Sequence, residues 1–504
     1  MTAQSDIAAG YASAGAAVEL GSVLVGGEVD PTARVRLPLA TLNRHGLVAG
    51  ATGTGKTKTL QLVAEQLSAA AVPVVLADVK GDLSGLSRPG EGGERVTARA
   101  TETGDDWRPE ACPVQFLSLG TGGAAVPVRA TVTSFGPILL AKVLGLNETQ
   151  ESTLGLIFHW ADSRGLPLLD LKDLRSVITH LTSEEGKADL KGLGGVSPAT
   201  AGVILRSLVN LDAQGGDTFF GEPELDPLDL MRVRDGRGVV TLLELTDSQD
   251  RPALFSTFLM WLLAELFEVL PEVGDLERPK LVFFFDEAHL LFADASKAFL
   301  ERITRTVKLI RSKGVGVFFC TQLPSDVPNA VLSQLGARVQ HALRAFTPED
   351  QAALAKAVKT YPTTPHYDLE KALTSLGIGE AVVTVLSEEG APTPVAWTRL
   401  RAPRSLMDTI GQDAIKQAAE ASELHGKYAE TVDRESAYEK LAAKVAPPEP
   451  GEAPPAPEAA RRDDPGVVEQ VLGNAAVKSF LRSAASALGR EVTRGLFGTS
   501  RKRR

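Results

Sequence analysis

Residues 45–57 read His45-Gly46-Leu47-Val48-Ala49-Gly50-Ala51-Thr52-Gly53-Thr54-Gly55-Lys56-Thr57. A short apolar strand runs into a glycine turn. A helical period follows from about Lys56 to Ala70, with Leu60, Val63, Ala64 and Leu67 spaced to share one face. Gly50 to Thr57 fits G-x-x-x-x-G-K-[ST], the Walker A phosphate loop. Its glycines let the backbone wrap a phosphate with amide N–H groups turned inward, and the following helix aims its positive end at the same place. Gly50, Ala51, Thr52, Gly53, Thr54, Gly55, Lys56, Thr57 and Lys58 are therefore the expected nucleotide-binding residues, for ATP. Lys56 would contact the β- and γ-phosphates, and the Thr57 hydroxyl would ligate Mg²⁺.

Such a site needs a second metal carboxylate and a base for the attacking water. Leu281-Val282-Phe283-Phe284-Phe285-Asp286-Glu287 supplies a wholly apolar strand ending in two acids. Asp286 at the strand tip can hold the Mg²⁺ shell, and Glu287 can polarise the water. The adjacent glutamate favours motor-type ATP hydrolysis over switch GTPases and small-molecule kinases. A later strand ends Cys320-Thr321-Gln322, where the Gln322 amide can sense the γ-phosphate or hold the water. His289 follows the acids and can either couple the site to a channel or serve in packing.

Further apolar runs punctuate the chain at 73–78, 114–119, 239–245, 315–320 and 338–343. Continuous β-branched and aromatic runs alternating with helices predict an α/β fold with a mostly parallel sheet covered on both faces. The expected organisation is a β-rich lead-in (1–45), the first part of a P-loop ATPase core (46–134), a helical insertion (135–235) and the second part of the core (236–404). A helical extension (405–446), a disordered Pro-rich linker (447–465) and a basic amphipathic tail (466–504) complete it.

Composition narrows the classes. The chain has 504 residues, a formal charge of −10, and 43% hydrophobic against 23% charged residues, the balance of an ordinary globular protein. Cys112 and Cys320 are too far apart for a disulfide framework or a metal knuckle, and a reducing cytoplasmic setting is expected. The first ten residues carry no basic, apolar leader, so no secretory signal is read there. Pro252 to Pro271 is the most apolar stretch, but Glu265 and Glu268 interrupt it; it reads as a buried helix, and no transmembrane segment is expected. The tail carries eight basic residues against Glu469 and Glu491, a net +6, which leaves residues 1–465 at −16. The tail's charge suits nucleic acid, an anionic membrane, or docking on the chain's own acidic core.

Four ordered blocks resemble the HerA–FtsK group of P-loop ATPases, and more closely the bacterial HerA-like (YjgR-like) helicase-domain family. They are residues 45–61, 74–86, 281–292 and 310–350, with Asp78, Lys80, Gly81 and Asp82 in the family's acidic, glycine-containing segment. The resemblance implies a RecA-like core that assembles as a homo-oligomer, a hexameric ring, often on DNA. It also implies an arginine completing a neighbour's ATP site, for which Arg311, Arg338 and Arg344 are candidates. The lead-in is short for a HerA barrel, and the linker and tail are additions to the family pattern. The expected function is a Mg²⁺-dependent, ring-forming DNA translocase or helicase-like ATPase. The competing reading is a nucleotide-gated protein-interaction switch that does not act on DNA, binding its protein partner through the tail.

Overall fold

The structure, a computed structural model, describes residues 2–120, 123–190, 194–245, 252–274, 276–292, 297–387 and 389–445. Residues up to Ala446 form one compact unit. The expected linker and tail lie outside the described residues.

Fourteen strands are present among the described residues: β1 (Ala17–Val25), β2 (Glu28–Pro38), β3 (Gly46–Ala49), β4 (Val74–Asp78), β5 (Val114–Leu119), β6 (Val126–Val128), β7 (Val233–Arg234), β8 (Arg237–Gly238), β9 (Val240–Glu244), β10 (Leu281–Phe285), β11 (Val315–Thr321), β12 (Ala337–Gln340), β13 (Glu380–Thr384) and β14 (Ala396–Leu400). β7 and β8 make a small ribbon, and the other twelve form one sheet in the order β2-β1-β14-β13-β12-β3-β11-β10-β4-β9-β5-β6. From β12 to β6 every neighbouring pair is parallel. The other edge, β13, β14, β1 and β2, is antiparallel. This is the mostly parallel α/β fold expected from the apolar runs.

The central strands are buried along their whole length because both faces are covered. Successive side chains point to opposite faces. Phe283 and Phe285 join the core beneath the helices of residues 132–213, Pro252–Val269 and Lys297–Ile310. Val282 and Phe284 join the core beneath the helix Lys56–Ala69, with β1 and β2 contributing Leu20, Val23, Val35 and Leu37. Phe284 packs on Phe318 at 5.2 Å between ring centroids, and Phe285 stacks on Phe319 at 5.4 Å.

Pro252–Val269 is a helix with Phe258, Leu259, Met260, Trp261 and Leu262 buried in the core. No described helix is long and apolar enough to cross a membrane. Between β6 and β7 the chain forms helices Val132–Val143, Glu148–Ser163, Leu171–Thr182, Glu184–Asp189 and Pro198–Ala213. Local chemistry sets their starts. Asn147 with Gln150 and Asp170 with Asp173 make reciprocal capping boxes, and Pro198 follows the Ser197 cap at the first helical position.

Two features tie the segments flanking the core to it. The lead-in strands continue the same sheet, with β1 pairing β14 at Gly21↔Leu400 and Val23↔Thr398. Beyond β14, residues 404–407 cross the Lys56–Ala69 helix as a strap. Both Glu65 carboxylate oxygens accept from the Arg404 N–H at 2.9 Å, and Ser405 donates its N–H and hydroxyl to Oε2. Gln61 Nε2 donates to Ser405 Oγ and the Leu406 carbonyl, each at 2.8 Å, and Lys58 Nζ donates to the Met407 carbonyl at 2.8 Å.

Candidate functional site

β3 ends at Ala49, and the chain turns through Gly50-Ala51-Thr52-Gly53-Thr54-Gly55 into the helix Lys56–Ala69. Gly50 and Gly55 have φ of 153° and 111°, a region L-residues rarely adopt. A Cβ on Gly50 would sit 2.5 Å from the Cβ of His341. Thr52 and Gly53 are exposed at the loop tip, and Thr54 Oγ1 donates to the Ala51 carbonyl at 2.7 Å. Lys56, only 8% exposed, donates through Nζ to the carbonyls of Gly50 at 2.7 Å and Ala51 at 3.2 Å. Its amine is thus held inside the curl of the loop. Thr57 is half-buried in the helix's first turn. The side chain of Lys58 points away to the strap at Met407, leaving only its backbone for the loop.

β11 lies between β3 and β10, so the loop and the Asp286-Glu287 pair emerge from the same edge of the sheet, one strand apart. Gln322 follows Thr321, the register partner of Ala49, and is exposed between them. Its turn is fixed by Asp326, whose Oδ2 accepts from Thr321 Oγ1 at 2.6 Å and the Leu323 N–H at 2.9 Å. Asp286 is buried, and burial together with the charge of Glu287 raises its carboxyl pKa. That cost is offset where a cation or an N–H faces it; Oδ1 accepts the Glu287 N–H at 2.9 Å.

Glu287 has φ of 47°, left-handed for a non-glycine residue. Its Oε1 pairs with Lys80 Nζ at 2.8 Å, and its Oε2 lies 3.4 Å from His289 Nδ1. Burial works to lower the Lys80 pKa, but the Glu287 hydrogen bond and the charges of Glu287, Asp286 and Asp82 outweigh it and raise the value. Lys80 is presented by a turn wound on Asp78, whose Oδ1 accepts from the Gly81 N–H at 2.7 Å and whose Oδ2 accepts from the Leu83 N–H at 2.9 Å. Burial pushes the Asp78 pKa up to about 6.

The three arginine candidates are spread over the sheet. Arg344 is exposed just beyond β12, on the phosphate-loop edge. Arg338 lies within β12, opposite Leu47, and donates to Thr360 Oγ1 at 2.6 Å. Arg311 precedes β11, at the sheet edge opposite the loop. The seven residues of β11 put it about 20 Å from that loop.

No sequence motif marks His341. It is fully buried directly under the loop. Its N–H donates to the Ala49 carbonyl at 2.7 Å, and its Nε2 lies 2.9 Å from Thr59 Oγ1. Burial and the neighbouring Lys56 charge lower its pKa to about 4. The only advance signal was its place after the short strand that pairs with β3.

No group of three or more His, Cys, Asp or Glu side chains is arranged to hold a metal ion among the described residues. Mg²⁺ is held by one or two protein oxygens plus substrate phosphates, and the Thr57 hydroxyl and the buried Asp286 carboxylate are oxygens of that kind on the same sheet edge.

The helicase HerA-like C-terminal family matches residues 25–504. The chain belongs to that family. Among solved structures the bacterial conjugative coupling protein TrwB is similar at a TM-score of 0.52 and 15% identity, covering 81% of this chain and 95% of that one. TrwB with the ATP analogue ADPNP matches at 0.52 and 15% identity, over 80% of this chain and 94% of that one. TrwB with ADP and Mg²⁺ matches at 0.51 and 15% identity, over 80% of this chain and all of that one. At such identity the likeness establishes the fold alone, a large mostly parallel α/β sheet of the RecA-like P-loop kind. No curated protein matches the sequence.

Proposed function

We propose that this HerA-family chain binds ATP with Mg²⁺ at the Gly50–Thr57 loop and hydrolyses it, working as a homo-oligomeric ring that translocates on DNA. The observation that carries the reading is the convergence of Lys56, Asp286, Glu287 and Gln322 on one edge of three adjacent parallel strands. The nucleotide complexes of the similar TrwB fold support it.

The backbone amides of 50–57 and the Lys56 amine hold the phosphates, Lys56 exchanging its two loop carbonyls for phosphate oxygens. Mg²⁺, when bound by Thr57 and Asp286, neutralises charge on the phosphate oxygens. Glu287 accepts the proton of the attacking water, Gln322 orients that water, and Arg344 acts at a neighbouring subunit's site. Of the three arginines, Arg344 suits that task best, because Arg338 is tied to Thr360 and Arg311 lies at the opposite edge. The parallel-sheet core and the two buried thiols are compatible with a cytoplasmic setting.

The acidity of residues 1–465, at −16, favours a second reading, a nucleotide-gated switch whose partner is a protein. The deciding experiment measures ATPase activity with and without duplex and single-stranded DNA, for wild type, Lys56→Ala and Glu287→Gln. Lys56→Ala should lose nucleotide binding, and Glu287→Gln should bind ATP without turnover. Hydrolysis without DNA binding or stimulation at low salt, and a protein captured by ATP-bound Glu287→Gln, would select the switch.

A further inference from the structure

β4 and β10 are parallel neighbours, with Leu76 opposite Phe284. Extending that register puts Asp78 level with Asp286, so the turns that follow the two strands face each other. Asp78 is fully buried and winds the first turn around its carboxylate, with the N–H groups of Gly81, Asp82 and Leu83 as donors. Gly81 takes a φ of 73° at the bend. The result is a rigid pedestal, and the side chain standing on it is Lys80.

Across the gap Glu287 adopts its left-handed backbone, and its carboxylate swings towards β4. Such conformations persist where the surroundings over-determine them. Here the restraints are the Asp286 Oδ1 bond to the Glu287 N–H at 2.9 Å and the Lys80 ammonium at 2.8 Å from Oε1. The two carboxylate oxygens are then unequal. Oε1 is committed to Lys80, whereas Oε2 accepts no hydrogen bond and faces His289 Nδ1 at 3.4 Å. A general base must bring an oxygen within hydrogen-bond reach of the proton it takes, and of the two only the buried, unbonded Oε2 is uncommitted.

We infer that Lys80 is the positioning residue of the hydrolytic site, fixing Oε1 of Glu287 so that Oε2 is presented to the attacking water. The inference rests on Glu287 being the base. Lys80 is half-exposed, so the pair adds little to stability and its value is orientation. Gln322 lies beyond β11, on the other side of β10 from Lys80, so the two hold different partners of the same step.

The test uses the full chain as Lys80→Met, Lys80→Arg, Glu287→Gln and the Lys80→Met/Glu287→Gln pair, with ATP affinity read from a fluorescent analogue and turnover from phosphate release. Lys80→Met should keep ATP affinity and KM within about twofold while kcat falls about tenfold or more, the scale of a misplaced reacting group. Lys80→Arg should recover most of that loss. In the Glu287→Gln background Lys80→Met should alter the residual rate by less than about twofold, since a residue acting through Glu287 has nothing left to position. A normal or raised kcat in Lys80→Met overturns the inference, as does a loss that persists without Glu287 or a loss of ATP affinity. Turnover by Glu287→Gln at the wild-type rate would instead refute the base itself, and the positioning role with it.

Discussion

His341 Nε2 lies 2.9 Å from Thr59 Oγ1, joining the end of β12 to the helix that carries Lys56. Thr59 Oγ1 also reaches the Gly55 carbonyl at 3.3 Å, one turn back on its own helix. The neutral ring therefore supports the phosphate loop from below. His341→Leu should keep the fold and lower ATP affinity about tenfold, by the loss of a buried bond worth roughly 1 kcal/mol and the packing it fixes. Thr59→Val should do the same more weakly. Unchanged affinity in both, by titration with a fluorescent nucleotide, would refute the support role.

Gly50→Ala should be more damaging than its size suggests. The new methyl would meet the His341 Cβ at 2.5 Å, and the backbone there already has a φ of 153°. Overpacking of this kind costs about 1–3 kcal/mol. Denaturant unfolding should register that loss, together with weakened nucleotide binding.

Acid should destabilise the unit through His45. This buried ring accepts from the Val317 N–H at Nδ1 and donates from Nε2 to the Val307 carbonyl at 2.7 Å, a pattern only the neutral form can make. Burial lowers its pKa to about 4. The stability it contributes is complete above the unfolded value near 6.5 and is lost as pH falls towards 4. The drop should be about 2 kcal/mol between pH 7.5 and pH 5. Urea unfolding of wild type and His45→Gln at the two pH values checks this, and equal pH sensitivity would count against it.

Glu65 works in the opposite sense. Burial raises its pKa to about 7, against the ordinary 4.5. The stability it contributes is full below 4.5 and is lost as pH rises through 7. Between pH 5 and pH 8 wild type should therefore lose about 2 kcal/mol more than Glu65→Gln. Parallel curves for the two proteins would mean that Glu65 stays ionised throughout.

Mixing Arg344→Ala with Lys56→Ala subunits tests the shared site. Each alone should be inactive, and the mixture should regain ATPase activity wherever a Lys56→Ala subunit lends Arg344 to an intact phosphate loop. If only an Arg311 or Arg338 variant complements, Arg344 loses its assignment.

The strands at 46–49, 74–78, 281–285 and 315–321 were legible because a strand buried on both faces needs an unbroken apolar run. The turn at Gly50–Thr57 was legible because glycines at that spacing permit the tight positive-φ curl between a strand and the helix that follows. β13 and β14 escaped notice: Ala381-Val382-Val383-Thr384 and Ala396-Trp397-Thr398-Arg399 are short, and their sites are defined by antiparallel pairing with each other and with β12 and β1. Lys80 escaped for a related reason. Its turn was readable, but β4 and β10 are neighbours in space while about two hundred residues apart in sequence, so no spacing rule connects Lys80 to Glu287. His341 looked like one more buried histidine, because its partner is a helix that only the parallel order brings beside it.

The strap at 404–407 changes what can be cut from this protein. A boundary drawn at residue 404 on composition falls in the middle of the hydrogen bonds that satisfy Glu65. A chain ended at Leu400 would leave that carboxylate buried without any of its donors, a deficit of several kcal/mol in a fold whose total margin is about 5–15. The smallest fragment able to stand alone therefore reaches past the last strand. Whatever tugs on the chain beyond Met407 pulls, through Lys58, on the very helix that begins with Lys56.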